Sequence, residues 1–149
     1  ALELYRAVGA RLGEANVLIA IGDVLQFLKR STEALQNYEQ ALELYRAVGA
    51  RLGEANVLKE LGKIHSKPIE AVRLIQQAQT IYEAIEDRYS QCRNLIDFLV
   101  DAQLAAGQRK EAIRSLNRGA DLAKDTEFGF YRDDALKRLQ ELSAGTVDL

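Results

Sequence analysis

Apolar residues along this chain recur at steps of three and four, which is the period of one face of a helix and not the alternation of a strand. Ala15, Leu18, Ile21, Gly22, Leu25 and Leu28 form one such stripe and predict a helix from about Leu12 to Leu28. Ala34, Leu35, Tyr38, Ala41, Leu42 and Tyr45 form the next, from about Thr32 to Val48. Lys29, Arg30, Ser31 and Thr32 make the polar turn between them, with Ser31 or Thr32 available to cap the second helix. So short a turn forces the pair antiparallel. Gly22, Ala34 and Ala41 carry little or no side chain, so the two helices can approach closely where they cross.

The pattern then repeats. ALELYRAVGARLGEANVL occupies Ala1 to Leu18 and again Ala41 to Leu58 without a change, a period of 40 residues. Periods of this size mark stacked helical units that bury their faces on one another. Gly49 suits the left-handed turn that ends a helix, and Gly53 falls near the start of the next. In the second unit Leu58, Leu61 and Gly62 repeat Leu18, Ile21 and Gly22, but Ala71 follows Gly62 three residues sooner than Ala34 follows Gly22. Pro68 fits a first helical turn and places the cut, with one helix ending near His65 or Ser66 and the next starting at Pro68 with Ala71, Val72, Ile75, Ala78 and Tyr82. Two readings of the shortening stand side by side: a notch opened on one face, or a plain irregularity of the repeat.

A third pair, about Tyr89 to Ala106 and Arg109 to Ala123, carries Leu95, Phe98, Leu99 and Ala102, then Ala112, Ile113, Leu116 and Ala120, with Gly107 between. A last stripe, Ala135, Leu136, Leu139 and Leu142, predicts a closing helix from about Tyr131 to Leu142, and the tail from Ser143 to Leu149 is expected to fray. The expected division is therefore 1–10 as the second helix of an incomplete preceding unit, 11–50 as a full repeat, 51–87 as a shortened one, 88–125 as a divergent one, 126–143 as a capping helix and 144–149 as the tail. An array cut from a longer protein would begin in this way.

Leu18, Ile21, Gly22 and Leu25 with Ala34, Tyr38 and Ala41, then Leu58, Leu61 and Gly62 with Ala71, Ile75 and Ala78, make the chain resemble the tetratricopeptide repeat family in its long-repeat form. In the third unit Ile96, Leu99, Ala112 and Leu116 fit, while Val100 and Gly119 depart from the expected glycine and alanine. The resemblance implies an all-α, right-handed superhelical solenoid of antiparallel helix hairpins. Its first helices would line a concave groove for a peptide or protein segment.

On that footing the groove receives Asn16, Ile19, Asp23 and Gln26 from the first unit, Asn56, Lys59 and Lys63 from the second, and Asn94, Asp97 and Asp101 from the third. Asn16, Asn56 and Asn94 match in position, so their amides could hold an extended peptide backbone, or stand as ordinary solvated helix residues. Lys59 with Lys63 and Asp97 with Asp101 offer spaced charges of opposite sign, either for a partner of complementary charge or for solubility. Some relatives clamp a terminal carboxylate with basic and amide groups; Ile19, Asp23, Glu60 and Phe98 stand here instead, which argues against that clamp.

Composition narrows the rest. A net charge of −2 and a pI near 5.5 supply no general attraction to nucleic acid or an anionic bilayer, and Arg109, Lys110 and Arg114 form only a local basic patch. No apolar run approaches membrane-spanning length, and no secretory segment is visible. Cys92 and His65 are the only residues of their kinds and lie in different predicted helices, which leaves no disulfide, no zinc set and no nucleophile and base pair. Asp133 and Asp134 are adjacent and so point apart around a helix. No phosphate loop or nucleophile elbow is present. With these exclusions, the resemblance implies a cytoplasmic, non-enzymatic scaffold or interaction module with a protein or peptide partner, and no cofactor, metal, nucleic acid or membrane is expected. The alternative is a structural spacer that self-associates through exposed repeat ends.

Overall fold

The computed structural model describes residues 1–145, and the expectation for the tail at 146–149 lies outside these. The described residues form helices joined by short turns, with no strand among them: α1 (Leu2–Phe27), α2 (Ser31–Val48), α3 (Arg51–Ile64), α4 (Pro68–Ala84), α5 (Arg88–Arg93), α6 (Val100–Ala105), α7 (Arg109–Ala123) and α8 (Phe130–Ala144). A π-helical turn, Asn94–Leu99, joins α5 and α6, so that residues 88–105 run as one rod. Successive rods pack on one another as antiparallel hairpins, α1 with α2, α3 with α4 and the 88–105 rod with α7, and α8 closes onto α7. The chain is an all-α repeat solenoid of helix hairpins.

The turns explain the stacking. Four rods end with an amide bonding back five residues, from Arg30 to Leu25, Ala50 to Tyr45, Asp87 to Tyr82 and Gln108 to Gln103, at 2.8 to 3.0 Å. Each uses one left-handed residue just before the donor: Lys29, Gly49, Glu86 and Gly107. The glycines were readable from sequence. Lys29 and Glu86 take the same conformation without a glycine's freedom, because the closing bonds and the packed hairpins hold them there. The hydroxyl cap anticipated at Ser31 or Thr32 is absent; Arg30 precedes the helix and its guanidinium holds Glu33 at 2.6 Å instead. Asp87 is a true cap, accepting from the Ser90 amide at 3.0 Å.

The turn from α3 to α4 is different in kind. His65 and Lys67 are extended, as the residue before a proline must be, so the chain crosses between helices without the left-handed closure. This extended crossing sits where the repeat is three residues short.

Core packing pairs a small residue with a large one at each crossing. A Cβ on Gly22 would lie 2.6 Å from the Tyr38 ring, and one on Gly62 would lie 2.5 Å from Ile75. In the third hairpin the roles reverse: the small residue is Gly119 on α7, against Ile96 on the π turn at 2.6 Å, while Val100 is fully buried. Of the two departures noted from the sequence, Gly119 thus makes room for Ile96, and Val100 fills buried space of its own. Ile21, expected in the core, is 44% exposed, whereas its repeat equivalent Leu61 is 5% exposed. The reason is that α3 has a hairpin on either side and α1 has one only.

The N-terminal expectation needs the plainest correction. Residues 1–10 do not form a separate second helix; they continue α1 without a break, although the same sequence bends at Gly49 in its second copy. Most of this extension is bare: Leu2, Leu4 and Tyr5 are 61, 71 and 77% exposed, and of residues 1–10 only Val8 is partly buried. With no contact to reward a bend, the helix keeps its backbone hydrogen bonds through Gly9.

Candidate functional site

The first-helix face is tied to the second helices by tyrosines. Tyr45 on α2 donates to Asn16 Oδ1 at 2.5 Å, and Tyr82 on α4 donates to Asn56 Oδ1 at 2.7 Å. Tyr38 donates to Asp23 at 2.6 Å and accepts from Gln26 Nε2 at 3.1 Å. Burial, aided for Tyr38 by the Asp23 carboxylate, raises the pKa of Tyr38, Tyr45 and Tyr82 above the ordinary phenol value. Asn16, Asp23, Gln26 and Asn56 therefore spend hydrogen-bonding capacity inside the hairpin. Ile19 is half-buried and packs on the first core cluster.

Asn94 does not join Asn16 and Asn56 in a ladder. It is 1% exposed, its amide nitrogen donating to the Ile75 carbonyl at 3.1 Å and to Gln79 Oε1 at 3.0 Å. Its own Oδ1 has no partner. The π turn that begins at Asn94 turns this position into the α4 interface, out of reach of a groove ligand.

Asp97 and Asp101 are also committed. Tyr131 of α8 donates to Asp97 at 3.4 Å, and Arg138 pairs with Asp101 while its other nitrogen reaches the Ile96 carbonyl at 2.5 Å. Burial raises the Asp97 pKa above the usual carboxylate value, with the Tyr131 hydrogen bond opposing. The expected negative half of a two-sign surface is thus largely answered by α8 of the same chain.

The positive half is assembled around a ring. Lys59 Nζ, Lys63 Nζ and Arg93 Cζ stand 5.2, 5.1 and 5.5 Å from the centre of Phe98, within cation–π range. Glu60 pairs with both lysines, at 3.2 and 2.9 Å. Lys59 is nearly enclosed, and burial lowers its pKa although Glu60 pulls the other way. Three cations face Glu60 and the half-buried Asp97, which leaves an excess of positive charge.

Beside this ring and the shortened turn lies a pocket of about 410 Å³. Ala71, Ile75, Phe98 and Ala102 give it apolar walls, Pro68 and His65 belong to its α3 to α4 edge, and Lys63, Asp97 and Asp101 bring charge to it. The shortened turn and this pocket are adjacent, His65 and Pro68 belonging to both. Lys63, Asp97 and Asp101 are the expected site residues brought together here; Asn16, Ile19, Asp23 and Gln26 are not.

Arg93 escaped the sequence reading. Residues five apart on an α-helix are separated by about 140°, so Arg93 and Phe98 do not read as neighbours. The π turn, whose hydrogen bonds join residues five apart, sets them on the same side. Phe98 was visible as a member of the apolar stripe and as a residue that does not fit a carboxylate clamp, but not as the centre of a cluster of cations.

The remaining chemistry is sparse. Cys92 is buried against the Gly119 carbonyl, its Sγ 3.9 Å away, and burial pushes the thiol up to about 11. His65 accepts from the Lys67 amide at 3.2 Å at the notch. Among the described residues no three His, Cys, Asp or Glu side chains gather as a metal site requires, and no helix is long and apolar enough to cross a membrane.

Hairpins stacked in series with a tyrosine-tied first-helix face define a helical repeat protein. A tetratricopeptide repeat profile matches residues 1–47 and 13–84, together 1–84 of the 149. The chain belongs to the tetratricopeptide repeat family, whose repeats generally mediate interactions between proteins and are typically non-catalytic. No curated protein matches it.

Proposed function

We propose that the chain is a non-catalytic interaction module whose notch between α3, α4 and α6 receives a segment of a partner protein, an apolar side chain entering beside Phe98 and an acidic group meeting Lys63 and Arg93. The observation that carries this reading is the pocket of about 410 Å³ with apolar walls, set against three cations around one aromatic ring. An apolar recess supplies the burial and a few charges at its edge supply orientation. The partner's basic groups are less favoured here, since Asp97 accepts from Tyr131 and Asp101 is paired with Arg138.

A display library of random peptides selected on the intact chain tests it. The expected outcome is enrichment of peptides that place an acidic residue close to a large apolar one, with binding weakened about tenfold or more in Lys63→Glu and also in Phe98→Ala, both checked for folding by circular dichroism. No enrichment, or equal binding by Lys63→Glu and the parent, would sink the proposal. A second reading, self-association, is favoured by the bare face of α1.

A further inference from the structure

The segments Ala1 to Leu18 and Ala41 to Leu58 are one sequence in two conformations. In the second copy the chain turns at Gly49 and lays 41–48 over the start of α3. The Tyr45 ring then sits 2.5 Å from the place of a Cβ on Gly53, Arg46 holds Glu54 at 3.0 Å, and Val57 and Leu61 are 0 and 5% exposed. In the first copy each of these partners is separated. Tyr5 is 77% exposed, Gly13 has nothing within 4 Å, Arg6 and Glu14 are exposed and without an ion pair among the described residues, and Val17 and Ile21 are 58 and 44% exposed.

The chain thus displays both halves of an interface that it also contains in closed form. The cover it uses over the start of α3 is a helix reading ALELYRAV, and that sequence stands at one other place, residues 1–8, where it is bare. α1 is 26 residues long against 18 for α2, so its first two turns or so project beyond the hairpin. A straight α1 cannot return its own residues 1–8 onto residues 13–21, but a second molecule can deliver them.

We propose that two copies of this chain exchange these arms. α1 of each lies antiparallel on α1 of the other across a two-fold axis near Gly9, Tyr5 seated on Gly13 of the second copy and Arg6 paired with its Glu14. The register is the one that Tyr45 with Gly53 and Arg46 with Glu54 already keep, and a two-fold arrangement uses both halves of each molecule at once. Val17 and Ile21 extend the apolar surface beyond the arm, along the open hollow that Val24 and Leu28 also line. This interface lies on α1, away from the notch, so its failure and that of the peptide-binding reading are separable.

The test is a cysteine pair in the whole chain, Tyr5→Cys with Gly13→Cys, oxidised gently and run without reductant. Tyr45 Cγ is 2.9 Å from the place of a Cβ on residue 53, which puts the equivalent pair in disulfide reach; buried Cys92 does not compete. The expected result is a covalent dimer, with the parent chain showing a concentration-dependent dimer by light scattering. Gly13→Leu, whose Cβ meets nothing within 4 Å in the single chain, should weaken that dimer at least about tenfold. A disulfide formed within one chain would mean the arm folds back at Gly9 as at Gly49, and would overturn exchange. A parent that stays monomeric at its highest soluble concentration, with no crosslink in the cysteine variant, would overturn it as well.

Discussion

Gly13 and Gly53 have the same neighbours in sequence and opposite neighbours in space. A methyl at 53 would strike the Tyr45 ring, while a methyl at 13 would meet nothing. Gly13→Ala should therefore stabilise the chain by about 0.5 to 1 kcal/mol, the ordinary gain of removing a glycine from a helix interior. Gly53→Ala should destabilise it by about 1 to 3 kcal/mol through overpacking. Urea midpoints measured at a dilution where the chain is monomeric check both, and shifts of the same sign would contradict the packing described. The duplication itself was plain in the sequence. That the two glycines do different work was not, because the difference lies in what folds over them.

At the scale of elements, the junction of α4 with the π turn depends on a buried amide. Asn94 joins the Ile75 carbonyl to Gln79 across two rods, and Gln79 is itself fully enclosed. Asn94→Ala should cost about 1 to 3 kcal/mol, since it leaves the Gln79 acceptor unpaired in the core, and should leave peptide affinity unchanged in the molecules that remain folded. A urea midpoint equal to the parent's would contradict this. Helical periodicity located the 88–105 rod but could not show the π turn, because the wider turn changes which side chains share a face without changing which residues are apolar. Asn94 consequently reads as a groove residue from its spacing and is a core residue in fact, and Arg93 gains a place over Phe98 that no α-helical spacing would give it.

Across the molecule the first two hairpins share one stitch, a second-helix tyrosine bonded to a first-helix side chain, seen at Tyr38, Tyr45 and Tyr82 and echoed by Tyr131 of α8 on Asp97. Burial keeps these phenols protonated in the folded chain above their ordinary value of 10.0. An unfolded chain releases those protons near pH 10, so the stability they contribute is complete below that value and is lost as pH rises through the folded values. Lys59 acts in the opposite sense, its lowered pKa favouring the folded chain as pH approaches 10.5, but it is one group against four. The urea midpoint should fall between pH 10 and 11.5, and Tyr38→Phe should flatten the fall; a midpoint that holds or rises there would remove the phenols as the cause. The sequence by itself determined the helices from Ser31 onward apart from the π turn, their antiparallel pairing, the period and the place of the shortened turn, since each follows from the spacing of apolar residues and from the backbone limits of glycine and proline. Only the tertiary structure decided which copy of the duplicated segment bends, which charges are answered by α8 and which remain for a partner, because those depend on neighbours that lie far apart along the chain.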